Sequence, residues 1–225
     1  MIRDKELTEE LINYAKKIGV DIIGFADPKD FERFDKLNRP ETYLPTSNSV
    51  VIIAIFLYDM ILDAWSEDRV LNKSYHFLDS ILENQLNLIK NFLQERKYKS
   101  VIISYTPGLF LKDTGVLAGL GPIGKNNLLI TEKFGSQIRL RALTTEAPLI
   151  NGNHVTDNKY CQNCSICIEN CPANALSNGK YDKEACLTYN LSNLIKLSKN
   201  SSIWCNICID VCPYGKKAVK IYFKK

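Results

Sequence analysis

Eight cysteines, at 161, 164, 167, 171, 186, 205, 208 and 212, lie in the last third of a 225-residue chain. The first run is Cys161-x2-Cys164-x2-Cys167-x3-Cys171-Pro172. Three thiolates at this spacing wrap one cubane iron–sulfur cluster, and the fourth points to a second cluster. Cys205-x2-Cys208-x3-Cys212-Pro213 repeats the end of that run. The same crossing predicts Cys161, Cys164, Cys167 and Cys212 on one [4Fe-4S] cluster, and Cys171, Cys186, Cys205 and Cys208 on the other. Zinc competes for such thiolates, but three closely spaced cysteines followed by x3-Cys-Pro are more specific than two Cys-x2-Cys pairs. Four disulfides fit the even count but not these metal-loop spacings. The chemistry implied is one-electron transfer along a two-cluster wire, whose potentials depend on hydrogen bonds to sulfur and on exclusion of solvent. Such a wire requires an electron acceptor.

The acceptor must be placed by the part of the chain that has no cysteines. With 45% hydrophobic and 24% charged residues, the composition is that of a folded protein. The N-terminus carries acidic residues and no apolar core of a signal peptide, and the apolar stretch Val50 to Tyr58 is too short to cross a bilayer. A cytoplasmic protein with no membrane partner is expected. Residues 1–155 carry 19 Lys+Arg and 20 Asp+Glu (19 − 20 = −1), and residues 156–225 carry 10 and 5 (10 − 5 = +5). Two clusters of about 2− each would offset the formal +4, so basicity is weak support for a nucleic-acid partner.

Periodicity predicts a helix over 5–18 ending at Gly19, a strand over 20–25, a short helix between Asp27 and Leu37, and a central buried strand over 50–58. It further predicts a long helix over 69–94, a strand over 99–104, a helix around 109–118, and strands over 128–131 and 137–144. This order indicates an α/β or α+β domain over 1–150, followed after the Asn151-Gly152-Asn153 junction by a ferredoxin-like two-cluster module over 151–225. A loop-rich segment of about 70 residues has little apolar core, so cluster insertion contributes to its folding.

Ala118-Gly119-Leu120-Gly121-Pro122-Ile123-Gly124-Lys125-Asn126, then Leu128-Leu129-Ile130, Gly135-Ser136 and the complete cysteine pattern resemble the epoxyqueuosine reductase family. These are cobalamin-dependent iron–sulfur enzymes related in core design to reductive dehalogenases. The resemblance spans most of the chain and is strongest over about 104–215. It implies a nitroreductase-like α/β domain that binds cobalamin, with a two-[4Fe-4S] module feeding electrons to cobalt. Gly119, Leu120, Gly121, Ile123, Gly124, Lys125 and Asn126 would then form the cofactor-binding loop. Reduced ferredoxin or flavodoxin is the implied electron donor. An isolated glycine turn before a buried strand is the bland reading of the same loop.

Two departures shape the functional expectation. Family members that reduce epoxyqueuosine carry an acidic proton donor in Asp-Ser-x-Pro, and this chain has Ser104-Tyr105-Thr106-Pro107. Serine is a poor acid near neutral pH, which makes Tyr105 the alternative donor, with Ser104 beside it. Typical members also continue into a helical-repeat region that helps engage tRNA, whereas this sequence stops at Lys225, the expectation for a short form. The basic tail of Lys216, Lys217, Lys220, Lys224 and Lys225 suits phosphate or an electron donor. His76 and His154 have no partners at metal-motif spacing. The expected function is reductive chemistry on a small electrophile. The alternatives are a reductant of a separate corrinoid protein, a flavin-dependent reductase and a non-enzymatic ferredoxin-like carrier.

Overall fold

The computed structural model describes residues 2–68, 73–155, 157–177 and 179–215. The basic-tail lysines lie outside the described residues. In chain order the elements begin with α1 (Lys5–Lys17), β1 (Ile22–Ala26), α2 (Pro40–Tyr43), β2 (Ser49–Phe56), β3 (Trp65–Asp68), β4 (Lys73–His76), α3 (Phe77–Glu95), β5 (Ser100–Ile102), α4 (Leu111–Leu117) and β6 (Ile138–Thr145). The cysteine segment adds α5 (Ile166–Glu169), β7 (Leu176–Ser177), β8 (Lys180–Tyr181), α6 (Lys183–Ser192), β9 (Ile195–Lys196), β10 (Ser201–Ile203) and α7 (Ile207–Asp210).

The chain divides into two compact units that interleave in sequence. One comprises residues 1–55, 79–121 and 139–156, and the other 56–78, 122–138 and 157–225. The first unit holds the main apolar core. Helix α1 starts where the Asp4 carboxylate accepts from the Leu7 N–H at 2.9 Å, and it buries Leu7, Leu11 and Ala15 on one face. Leu82, Leu86, Ile89 and Leu93 repeat at helical spacing along α3 and are fully buried in the same cluster as Val51, Ile53 and Leu143. The sheet order is β1-β2-β6-β5, with β1 antiparallel to β2 and β5 antiparallel to β6. The continuous apolar run of β2 is therefore internal, as its pattern predicts.

Two elements differ from expectation. The helix expected from residue 69 begins at Phe77, because Lys73–His76 pairs as β4 with β3 in the second unit, where the sheet order is β4-β3-β10-β9. Tyr75 fits the apolar stripe of α3 by spacing, yet it stands opposite Ser66 in an antiparallel ladder and is exposed. The strand expected over 128–131 is instead a loop closed by isolated bridges, Ile123 to Leu129 and Thr131 to Gly135. Its backbone is satisfied locally: the Gly124 N–H donates to the Leu128 carbonyl at 2.7 Å and the Ile130 N–H to the Pro122 carbonyl at 2.9 Å.

Candidate functional site

The two proline-ended cysteine runs fold as near copies. In the first, the Ile168 and Glu169 N–H groups donate to the Ser165 carbonyl at 2.8 and 3.0 Å, and the Cys171 N–H donates to Ile168 at 3.2 Å. In the second, Ile209 and Asp210 donate to Asn206 at 2.8 and 3.0 Å, and Cys212 to Ile209 at 3.0 Å. Each run thus makes one short helix, α5 or α7, around a central cysteine, Cys167 or Cys208, and the two helices pack on each other. The Asn158 carboxamide oxygen fixes the entry by accepting from the N–H groups of Tyr160 and Cys161 at 3.1 and 3.2 Å.

Cys161, Cys164, Cys167 and Cys212 line one pocket together with Asn126, Ile130, Tyr160, Ile166, Pro213 and Tyr214. The last of these cysteines comes from the second run. Burial, then the charges of Cys161, Cys164 and Cys212, raise the pKa of the Cys167 thiol. The second quartet shows the same mutual repulsion. Burial raises the Cys205 thiol, to which Cys186 and Cys171 add, and Cys208 is pushed up to about 12 by burial and by Cys205, Cys167, Cys186 and Cys171. Four thiolates this close ionise together only against a strong positive centre. All eight thiols are free of disulfides. Among the described residues no three His, Cys, Asp or Glu side chains converge as a single ion requires. Two sets of four thiols match the ligand count of two iron–sulfur cubanes.

The glycine loop makes close contacts with its own protein. Gly119 has φ +77, and a Cβ there would lie 2.7 Å from the Asn153 carbonyl oxygen. Gly121 also has positive φ, +154. Leu120 fills the space a side chain on Gly24 would take. A Cβ on Gly124 would meet Ile130 Cδ1 at 2.5 Å. Asn126 is only 5% exposed and donates to Ser136 Oγ at 3.2 Å and to the Cys208 carbonyl at 3.4 Å, which ties the loop to the cysteine module. Lys125 lines an open pocket with Ile123, Asn127, Ser177, Lys180 and Tyr181. The loop residues named from the sequence therefore serve different surroundings.

In the other unit, the Tyr105 hydroxyl donates to Asp79 Oδ1 at 2.6 Å. Arg139 grips the same carboxylate through Nε–Oδ1 at 2.6 Å and Nη2–Oδ2 at 3.1 Å. The Arg141 guanidinium lies 4.2 Å from the Tyr105 ring centroid and donates to the Ile103 carbonyl at 3.0 Å. Tyr105 is 41% exposed, but desolvation of its hydroxyl and the bond to Asp79 raise its pKa well above the tyrosine range, more than the arginine charges lower it. Ser104 is exposed and donates to the Thr106 carbonyl at 3.1 Å. Asp79 and Arg139 are absent from the sequence-based set of candidates, because no local motif joins them to Tyr105. His154 pairs with Asp30 at 2.7 Å, and His76 lies on β4.

Gly108 holds the 104–108 turn: its φ is +59, and a Cβ would lie 2.3 Å from the Ser104 carbonyl oxygen. Gly108→Ala is expected to cost about 1–3 kcal/mol and to loosen Tyr105, read as a lower denaturation midpoint.

These features define an iron–sulfur protein in which two thiol quartets accompany an α+β unit bearing a tyrosine–aspartate–arginine site. Residues 160–215 match the model of a 4Fe-4S double cluster binding domain, which covers every cysteine. The epoxyqueuosine reductase of Bacillus subtilis (strain 168) is 27% identical over 94% of this chain and 64% of its own length. That of Listeria monocytogenes serovar 1/2a is 29% identical over 93% and 65%. A solved epoxyqueuosine reductase with a tRNA-Tyr epoxyqueuosine-modified stem loop superposes at TM-score 0.72 with 26% identity, covering 94% of this chain and 66% of that one. A catabolic reductive dehalogenase shares the fold at TM-score 0.68 and 19% identity, over 96% and 34%. The chain is similar to the epoxyqueuosine reductases over most of its own length. It spans just under two thirds of the length of these relatives, 64–65%. No helix among the described residues is long and apolar enough to cross a membrane.

Proposed function

We propose that this chain is an iron–sulfur oxidoreductase that relays low-potential electrons through two [4Fe-4S] clusters to a bound cobalamin, for reductive chemistry on a small electrophile. The observation that carries the reading is the pairing of two complete thiol quartets with a separate proton-bearing site at Tyr105, in the fold of a cobalamin-dependent reductase family. Cys161, Cys164, Cys167 and Cys212 would hold one cluster, and Cys171, Cys186, Cys205 and Cys208 the other. Bound cobalamin supplies a cobalt centre that is strongly nucleophilic when reduced. The ammonium donors of Lys125 and Lys180 around this pocket suit the amide carbonyls and phosphate of a corrinoid. Gly119, Gly121 and Gly124 shape the loop that presents Lys125. Tyr105 would hold the proton delivered to the reduced substrate, with Asp79 and Arg139 fixing its hydroxyl and Ser104 bracing its turn. Reduced ferredoxin or flavodoxin would supply the electrons.

A second substrate reading comes from the solved relative bound to an epoxyqueuosine-modified stem loop: an epoxide on a tRNA nucleoside. Ser104 at the position of the family's acid sets Tyr105 against a carboxylic acid as donor, and a small electrophile is therefore preferred.

Anaerobic reconstitution with iron and sulfide, followed by titration with cob(II)alamin, tests the reading. About eight irons per chain and a stoichiometric change in the cobalt EPR signal are expected. Full iron loading with an unchanged cobalt signal would overturn the cobalamin assignment and leave a flavin reductase or a ferredoxin-like carrier.

A further inference from the structure

Cys186 is isolated in sequence, 15 residues after Cys171 and 19 before Cys205, and no run geometry sets its position. Asn190, one turn later on α6, supplies that register. Its side-chain amide donates to the Cys186 carbonyl at 2.8 Å and reaches Cys186 Sγ at 3.5 Å. Its carboxamide oxygen accepts from the Cys205 N–H at 2.6 Å. One side chain, only 7% exposed, thus clasps two ligands from separate segments of the second quartet. The Tyr181 hydroxyl also hydrogen-bonds Cys186. Two donors therefore address the Cys186 sulfur.

We propose that Asn190 is a positioning residue of the second cluster: it joins Cys186 to Cys205 and, with Tyr181, raises that cluster's reduction potential through hydrogen bonds to the Cys186 sulfur. The proposal rests on the two-cluster reading and goes beyond it by making the clusters unequal. Reduction adds negative charge to the cluster and its sulfurs. A donor aimed at a coordinating sulfur stabilises that state.

The test is an EPR-monitored redox titration of the reconstituted full chain. Asn190→Asp keeps an oxygen to accept from Cys205 and removes the amide donor. It is expected to lower the reduced-to-oxidised ratio of one cluster at fixed poise by about tenfold, or ~59 mV for one electron, leaving the other in place. Tyr181→Phe removes only the partly exposed hydroxyl and is expected to shift the same signal in the same direction by less. It decides the matter if Asn190→Asp fails to load the cluster. Unchanged potentials in the loaded variants, or equal shifts of both clusters, would overturn the proposal. A wild-type chain that binds fewer than about eight irons would instead overturn the two-cluster reading beneath it.

Discussion

Cys212→Ser is expected to remove the same cluster as Cys161→Ser, although the two cysteines lie 51 residues apart and in different runs. Cys212 is the one buried cysteine, 9% exposed, and it lines the pocket of Cys161, Cys164 and Cys167. Its loss leaves that cluster with three thiolates, a weaker set that favours an open cubane corner or a three-iron form. Anaerobically loaded protein should fall from about eight irons to about four or seven, with the EPR signal of the second cluster retained. Cys208→Ser should remove the complementary signal. If Cys212→Ser instead abolishes the same signal as Cys208→Ser, each run serves its own cluster and the crossing is wrong. Burial adds a structural cost, because the hydroxyl would sit in a pocket lined by Ile130, Ile166 and Pro213.

Residue types that act at short spacing were legible in the sequence. The shared Cys-x2-Cys-x3-Cys-Pro constrains the loop conformation so tightly that both runs fold alike. The same holds for α1, whose cap and buried stripe lie within one segment, and for β2, whose length and apolar continuity admit an internal strand. Interactions that depend on distant pairing were not legible. The β3–β4 hairpin exists through its partner β10, so the stripe of α3 read too far toward the N-terminus. Asp79 reaches Tyr105 across 26 residues, and Asn190 reaches Cys205 across 15. Asn126 bonds to Ser136 and to the Cys208 carbonyl, contacts that its place in the glycine loop does not announce. Short polar side chains serve backbone and ligand equally well, and only tertiary placement distinguishes the two uses.

Asp79→Asn is expected to bring the Tyr105 hydroxyl down toward the ordinary tyrosine range near 10. In the native arrangement desolvation raises the Tyr105 pKa most, the hydrogen bond to Asp79 adds to it, and the carboxylate charge acts in the same direction. The substitution removes the carboxylate charge, reduces the hydrogen bond to one with a neutral acceptor, and leaves the opposing charges of Arg139 and Arg141. Comparing phenolate absorbance of Asp79→Asn with Asp79→Asn/Tyr105→Phe isolates this one tyrosine among the 11 in the chain. For turnover the sign follows from the active form. A phenol that delivers a proton works only while protonated, so activity is lost as pH rises through its pKa. The wild-type rate should therefore show no tyrosine-dependent loss between neutrality and about pH 10, whereas the alkaline limb of Asp79→Asn moves down into the measurable range. Tyr105→Phe should reduce turnover by about 10²–10⁴ with both clusters intact, and should abolish that limb. Unchanged turnover in Tyr105→Phe would place the proton elsewhere and reduce the Asp79–Arg139 pair to a brace for the 104–108 turn.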